Sequence, residues 1–342
     1  MPQSDQLYFR DISSALDHLR DENTPLSPAA LAVFSEPTLK TIQLFANAWQ
    51  LISADRRRKI VQSLVDLTED SFEANYTELF RYLLEDEDPQ VRALAIDGLW
   101  EEESSILVKP LVALLRSDPS VIVRAAAATS LARFALSAEL DKLTEEHAAL
   151  VRESLVATIR NSEEDLEVRR RAIESVAFFG DEEVRGIVAA AYENDDPRMR
   201  ASAVFAMGRA TDKYWSKTIL AELESNDSQV RYEATRASGE LELKKAIPRL
   251  IQLTDDPDIE VANAAIAALG QIGGEEARQA LEHLVTGEDE GLREAAQDSL
   301  DELTFTESAN LMLIDMDLER EMLDEEELED QDEDDEAGEP EA

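Results

Sequence analysis

Chemistry needs particular side chains close together, and this sequence offers few of them. Its three histidines, His18, His147 and His283, lie far apart in the chain. A lone histidine on a helix is more often a surface or capping residue than a ligand. There is no cysteine, which removes disulfides, thiolate nucleophiles and cysteine-ligated zinc or iron–sulfur centres. No glycine-rich phosphate loop, G-x-S-x-G, H-E-x-x-H or C-x-x-C occurs. Asp315, Asp317, Glu319 and Glu326 fall at positions 1, 3, 5 and 12 of a calcium loop, but Arg320 stands at position 6, where the sharp turn needs glycine. Paired carboxylates are plentiful in so acidic a chain and discriminate nothing. The residues therefore point to no catalytic group, no metal and no cofactor.

What recurs instead is an arginine in a fixed setting. Arg92, Arg124, Arg169, Arg200, Arg231 and Arg293 share one register, with Ala262 in the remaining copy, and from Arg169 onward the interval is a constant 31 residues. Four positions upstream stand Asp88, Ser120, Asp165, Asp196, Asp227, Asp258 and Asp289. All are types that cap a helix N-terminus by accepting from a first-turn N–H. The residue before each arginine position is apolar, and the residue three after it is always alanine, from Ala95 to Ala296. Those two lie on one helix face, and an invariant alanine implies a close helix–helix approach. Gly208, Gly239 and Gly270 follow as expected helix ends. A second amphipathic run then completes each unit, as in Ile247–Leu253. One such pair cannot bury its apolar face, whereas a stack can.

These residues resemble the HEAT-repeat family, especially the short HEAT-like repeats of phycobilin lyases and of many bacterial proteins. Asp227 to Leu253 matches the family pattern D-x-x-V-R-x-x-A-x-x-A-L-G followed by A-V-P-x-L most closely. The resemblance implies an all-α fold: a right-handed α-solenoid of stacked antiparallel helix pairs with a repeat of about 31 residues. It also implies that each register arginine pairs with the aspartate of a neighbouring unit, so Asp88, Arg92, Arg124, Asp165, Arg169, Asp196, Arg200, Asp227, Arg231, Asp289 and Arg293 form a structural ladder. Two enzyme families share the fold. Deoxyhypusine hydroxylase draws its iron ligands from His-Glu dipeptides, and no histidine here is followed by glutamate. No lyase-specific residue maps onto this chain.

The chain has 342 residues, 44% hydrophobic and 32% charged, with a net charge of −43. That balance argues against nucleic acid and against an anionic membrane surface. It favours a basic partner where charge steers association. No apolar run reaches membrane-spanning length, so a cytoplasmic location is the default expectation. Residues 1–70 are expected to form atypical capping helices, 71–305 the repeat array, 306–324 an amphipathic segment and 325–342 a disordered acidic tail. Asp315 to Ala342 alone carries −16, leaving the rest at −27.

Arg56-Arg57-Arg58-Lys59, the densest basic cluster, reads as the solvated face of a helix near acidic neighbours. Trp49, Trp100 and Trp215 read as packing residues rather than surface anchors. The insertion Ser137–Glu146 is expected to extend a connection into a longer helix. The middle repeats are the most aromatic, which nominates Phe205, Tyr214, Trp215 and Tyr232 as partner-binding candidates. The function that follows is a non-enzymatic scaffold holding a protein or peptide, basic in character, on the concave solenoid surface. The alternative is a lyase-like enzyme or pigment chaperone using the same groove.

Overall fold

In this computed structural model residues 11–70, 74–210, 213–306 and 308 are described. They are helical throughout, with no strand among the described residues. The helices fall into two compact units, residues 1–211 and 212–342. The first holds α1 (Ile12–Arg20), α2 (Pro28–Ala32), α3 (Leu39–Trp49), α4 (Ala54–Asp70), α5 (Thr77–Leu83), α6 (Pro89–Asp97), α7 (Val108–Ser117), α8 (Val121–Ser130), α9 (Ala132–Glu139), α10 (Glu145–Arg160), α11 (Leu166–Val176), α12 (Glu182–Tyr192) and α13 (Pro197–Arg209). The second holds α14 (Ser216–Glu222), α15 (Ser228–Glu240), α16 (Ile247–Leu253), α17 (Ile259–Ile272), α18 (Glu275–Val285) and a helix over residues 290–306.

From α3 onward the helices pair, and the pairs stack as an α-solenoid. The second helices of successive pairs pack on one another: α4 on α6, α6 on α8, α8 on α11 and α11 on α13, and in the second unit α15 on α17. The alanines make this possible. Ala95, Ala127, Ala172, Ala203, Ala234, Ala265 and Ala296 are all fully buried, and a longer side chain there would hold neighbouring helices apart. The apolar residues before the register position, from Val91 to Val261, are buried with them.

Local signals set the helix starts. Asp88, Asp165, Asp196, Asp227 and Asp258 each accept a bond from a first-turn N–H, and Asp289 accepts from Leu292. Ser120 is the exception, making no side-chain cap bond. The insertion behaves as expected. It continues α8 into α9, turns through Asp141 at a positive φ of 55°, and starts the sixteen-residue α10 on a Thr144 cap. The run Val121–Glu139 is long and apolar enough to cross a membrane by composition. Its Val123, Ala127, Ala128, Leu131 and Phe134 are instead buried in the first unit.

The glycines correct an expectation. Gly208, Gly239 and Gly270 lie inside α13, α15 and α17 rather than beyond their ends. Two of them serve close approach. A Cβ on Gly239 would strike the Gln271 side chain and meet Ala268 Cα at 3.0 Å, and one on Gly270 would meet Ser299 Cβ at 3.0 Å. Gly98, at the end of α6, lies against the buried ring of Phe80, where a Cβ would overlap three ring carbons. A Gly98→Ala substitution is expected to destabilise the protein by about 1–3 kcal/mol, read as a lower denaturation midpoint. An unchanged midpoint would show that the Phe80 ring yields freely.

Candidate functional site

Three of the six register arginines, Arg92, Arg124 and Arg231, are two-ended. Arg92 forks onto Asp118 with Nε and Nη2 at 2.8 Å each, while Nη1 donates to the carbonyl of Asp86 at 2.7 Å. Arg124 forks onto Glu164 at 3.0 and 2.8 Å and gives Nη1 to the carbonyl of Asp118 at 2.8 Å. Arg231 forks onto Asp256 at 2.9 and 2.8 Å and gives Nη1 to the carbonyl of Ser225 at 2.8 Å. Arg293, in the last described helix, has no fork partner among the described residues and gives Nη1 to the carbonyls of Gly287 at 3.2 Å and Glu288 at 3.3 Å. Each Nη1 thus reaches a carbonyl six residues upstream, and each fork reaches the following unit.

This corrects the expected ladder. The acceptors are not the cap aspartates but carboxylates just before the next cap: Asp118 precedes Ser120 by two, Asp256 precedes Asp258 by two, and Glu164 immediately precedes Asp165. The same carboxylates accept from the cap N–H, as in Ser120 to Asp118 at 2.8 Å and Asp258 to Asp256 at 2.9 Å. The cap aspartates are engaged otherwise. Asp196 forks with Arg198 beside it, and Asp88 forks with Arg58 at 3.0 and 2.6 Å. Arg169 makes one bond, Nε to the carbonyl of Ile159 at 3.2 Å. Arg200 lies over the Tyr192 ring at 5.7 Å.

The basic cluster is also corrected. Arg56 and Arg57 are buried. Arg56 gives Nε to the carbonyl of Leu19 at 3.1 Å and so closes the end of α1. Arg57 bonds both oxygens of Asp86 at 3.2 and 3.0 Å, and Trp49 donates its indole N–H to the same carboxylate at 2.6 Å. Asp86 stands two before the cap Asp88 and accepts from its N–H at 2.8 Å. Arg57 therefore meets the carboxylate two before a cap, as Arg92 and Arg231 do, and forms the first rung. Ser53, four residues before Arg57, was the available signal.

The aromatic candidates separate. Phe205 belongs to the first unit, half-buried beside the Arg209 guanidinium at 5.2 Å. Tyr214, Trp215 and Tyr232 belong to the second. Trp215 is buried and packs edge-on against Tyr214 at 4.7 Å, so it presents no anchor. Tyr214 is 64% exposed. Tyr232 lines a polar cleft of about 310 Å³ between α15 and α17 with Arg236, Asn263 and Gln271. Trp49 is buried as expected, but Trp100 is 51% exposed, against expectation. The segment Leu311–Leu323, the acidic tail and the calcium-loop spacing lie outside the described residues.

Acid should weaken the ladder. The Arg58 fork holds the Asp88 carboxyl below its ordinary 3.8, against burial and helped by the Val91 N–H. Burial pushes Asp256 up, but Arg231 and the Asp258 N–H outweigh it and hold it low. A carboxyl depressed on folding binds its proton first in the unfolded chain. Its stabilisation is therefore whole above the unfolded value and is lost as pH falls through the folded one. Denaturant midpoints should hold from neutral pH to about 5 and drop below about 4, and Asp256→Asn should flatten that acid limb. A midpoint independent of pH down to about 3 would contradict the reading.

Residues 77–160 and 216–301 match the family model for HEAT repeats. No curated protein sequence matches the chain. Among solved structures, an engineered protein is similar at 23% identity over 58% of this chain and 96% of its own, with a TM-score of 0.39. The complex of CpcE and CpcF of phycocyanin lyase from Nostoc sp. PCC7120 is similar at 19% identity, over 66% of this chain and 94% of that one, with a TM-score of 0.44. Human deoxyhypusine hydroxylase is similar at 15% identity, over 86% and 96%, with a TM-score of 0.35. The matched segments, lying on helix pairs joined by two-ended arginines, are HEAT repeats.

Proposed function

We propose that the protein is a non-catalytic interaction scaffold. Its partner is a lysine- and arginine-rich segment of another protein, held on the solvent side of the second-helix row at α4 and α6. One observation carries this reading. Glu69 on α4 and Asp97 on α6 are both exposed where the two helices pack, and partial desolvation together with the facing Glu69 charge raises the Asp97 carboxyl above its ordinary value. Carboxylates crowd here without a counter-charge. Among the described residues no lysine or arginine pairs with Glu69, Asp97 or Glu101, and Asp66 accepts only from Gln62.

On α11 and α15 the acids are neutralised within the chain. Glu167 and Glu174 on α11 are held by Arg170 and Arg171, and Glu233 and Glu240 on α15 by Arg236. The α4–α6 surface also carries Trp100, one turn beyond Asp97 and exposed. An indole beside uncompensated carboxylates suits the aliphatic stem and charge of a bound lysine or arginine.

Binding of a labelled lysine- and arginine-rich peptide to the full chain, read by fluorescence anisotropy, tests the proposal. Affinity should fall with salt. The double variant Glu69→Gln, Asp97→Asn and the single variant Trp100→Ala should each weaken it about tenfold, roughly 1.4 kcal/mol. The acidic tail is common to all variants, so the difference reports α4 and α6. Equal binding by wild type and both variants would sink the proposal. A carboxyl raised on folding opposes folding once it is ionised, so Asp97→Asn should also raise the neutral-pH melting temperature. A visible absorption band on the purified protein would instead favour the pigment-handling alternative.

A further inference from the structure

We propose that the pocket lined by α10, α11 and α12 is a binding site for a small aliphatic carboxylic acid, with Arg169 supplying the charge. Arg92, Arg124 and Arg231 each close a bidentate pair with a carboxylate from the following unit. Arg169 holds the same place in its unit, but the residue two before the next cap is Asn194. Asn194 keeps half of the usual task, since its Oδ1 accepts from the Asp196 N–H at 2.9 Å, as Asp118 accepts from Ser120. It does not bring the negative charge. Arg169 is left with a single bond, from Nε to the carbonyl of Ile159, and no carboxylate partner among the described residues.

Two acids beside the pocket are already taken, and the exposed Asp195 next to Asn194 makes no pair with Arg169 among the described residues. Glu183 pairs with both Arg160 and Arg152 at 2.6 Å, and Asp181 pairs with Arg152 at 2.8 Å. The pocket lining itself holds two guanidiniums, Arg160 and Arg169, and one carboxylate, Glu183, which is taken by Arg160 and Arg152. Arg169 and Asn194 both line a pocket of about 430 Å³ whose walls include Ile159, Ile173, Ile187 and Met199. A guanidinium fork recognises a carboxylate by two parallel bonds, and the apolar wall takes a hydrocarbon body. A ligand with a carboxylate head and a short aliphatic tail satisfies both, and this class lies outside the basic segment proposed for α4 and α6.

The probe is octanoate, titrated into the full chain by calorimetry, with octanol (tail without charge) and acetate (charge without tail) as comparisons. Octanoate should bind with a Kd below about 1 mM, at least tenfold tighter than either comparison. Arg169→Gln should weaken it at least tenfold. The deciding variant is Asn194→Asp, which places the chain's own carboxylate on Arg169. It should raise the melting temperature and abolish octanoate binding, and it remains informative if the Arg169 variant folds poorly. Octanoate binding that survives Asn194→Asp, or no binding to the wild-type protein, would overturn the assignment. Basic-peptide binding should be unchanged in Asn194→Asp, so the two proposals fail separately.

Discussion

The stack depends on a guanidinium that serves two masters. Arg92, Arg124 and Arg231 satisfy a carbonyl of their own unit with one nitrogen and a carboxylate of the following unit with the fork. Only arginine has donors in the fixed planar arrangement that allows both at once. The carboxylate is itself shared, because it also receives the N–H of the next helix cap. One side chain therefore sets the upstream turn, the next turn and the offset between units. The fully buried alanines let the second helices come close enough for the fork to reach. These pairs are largely buried, Arg92 and Asp118 at 10% and 4% side-chain exposure. Desolvation offsets much of their attraction, and their main effect is to fix register while making the loss of either partner costly.

Seen through that interaction, the charge of the protein is not uniform. Acids in the ladder are committed, and so are those on the exposed sides of α11 and α15. At α4 and α6 they are not, and Asp97 responds by holding its proton more tightly. At Arg169 the imbalance reverses, because Asn194 lacks the charge its counterparts carry. Where the register arginine is replaced by Ala262, the position two before the next cap is Gly287. There both ends of the pair are missing together, which leaves no unmatched charge. Arg200 likewise meets an uncharged residue, Ser225, two before the next cap, but it lies over the Tyr192 ring, whereas Arg169 makes one bond only.

Much of the fold was legible in the sequence, because cap, apolar residue, arginine and alanine recur at fixed offsets and each has a local cause. The first rung was not. Arg57 lies 35 residues before Arg92, with Ile60 where the other copies have alanine, so spacing and consensus both hid it. The arginines' true acceptors are not legible in the sequence, because fork direction depends on how one loop sits against the next, which no single-helix rule contains. Gly239 and Gly270 looked like helix ends for a similar reason, since their use is a neighbour's side chain. Trp100 was expected inside, and only the end of α6 shows why it is not: Leu99 takes the buried position and the next residue turns outward. Composition likewise showed a surplus of acid but not where it goes unpaired.

The two-ended arginine is tested most directly by a double-mutant cycle on Arg92→Gln and Asp118→Asn in chemical denaturation of the full chain, beside a matching cycle on Arg169→Gln and Asn194→Ala. The account predicts a coupling of about 1–3 kcal/mol for Arg92 with Asp118, and a value within about 0.5 kcal/mol of zero for Arg169 with Asn194. A coupling near zero for the first pair, or equal couplings for both, would contradict it.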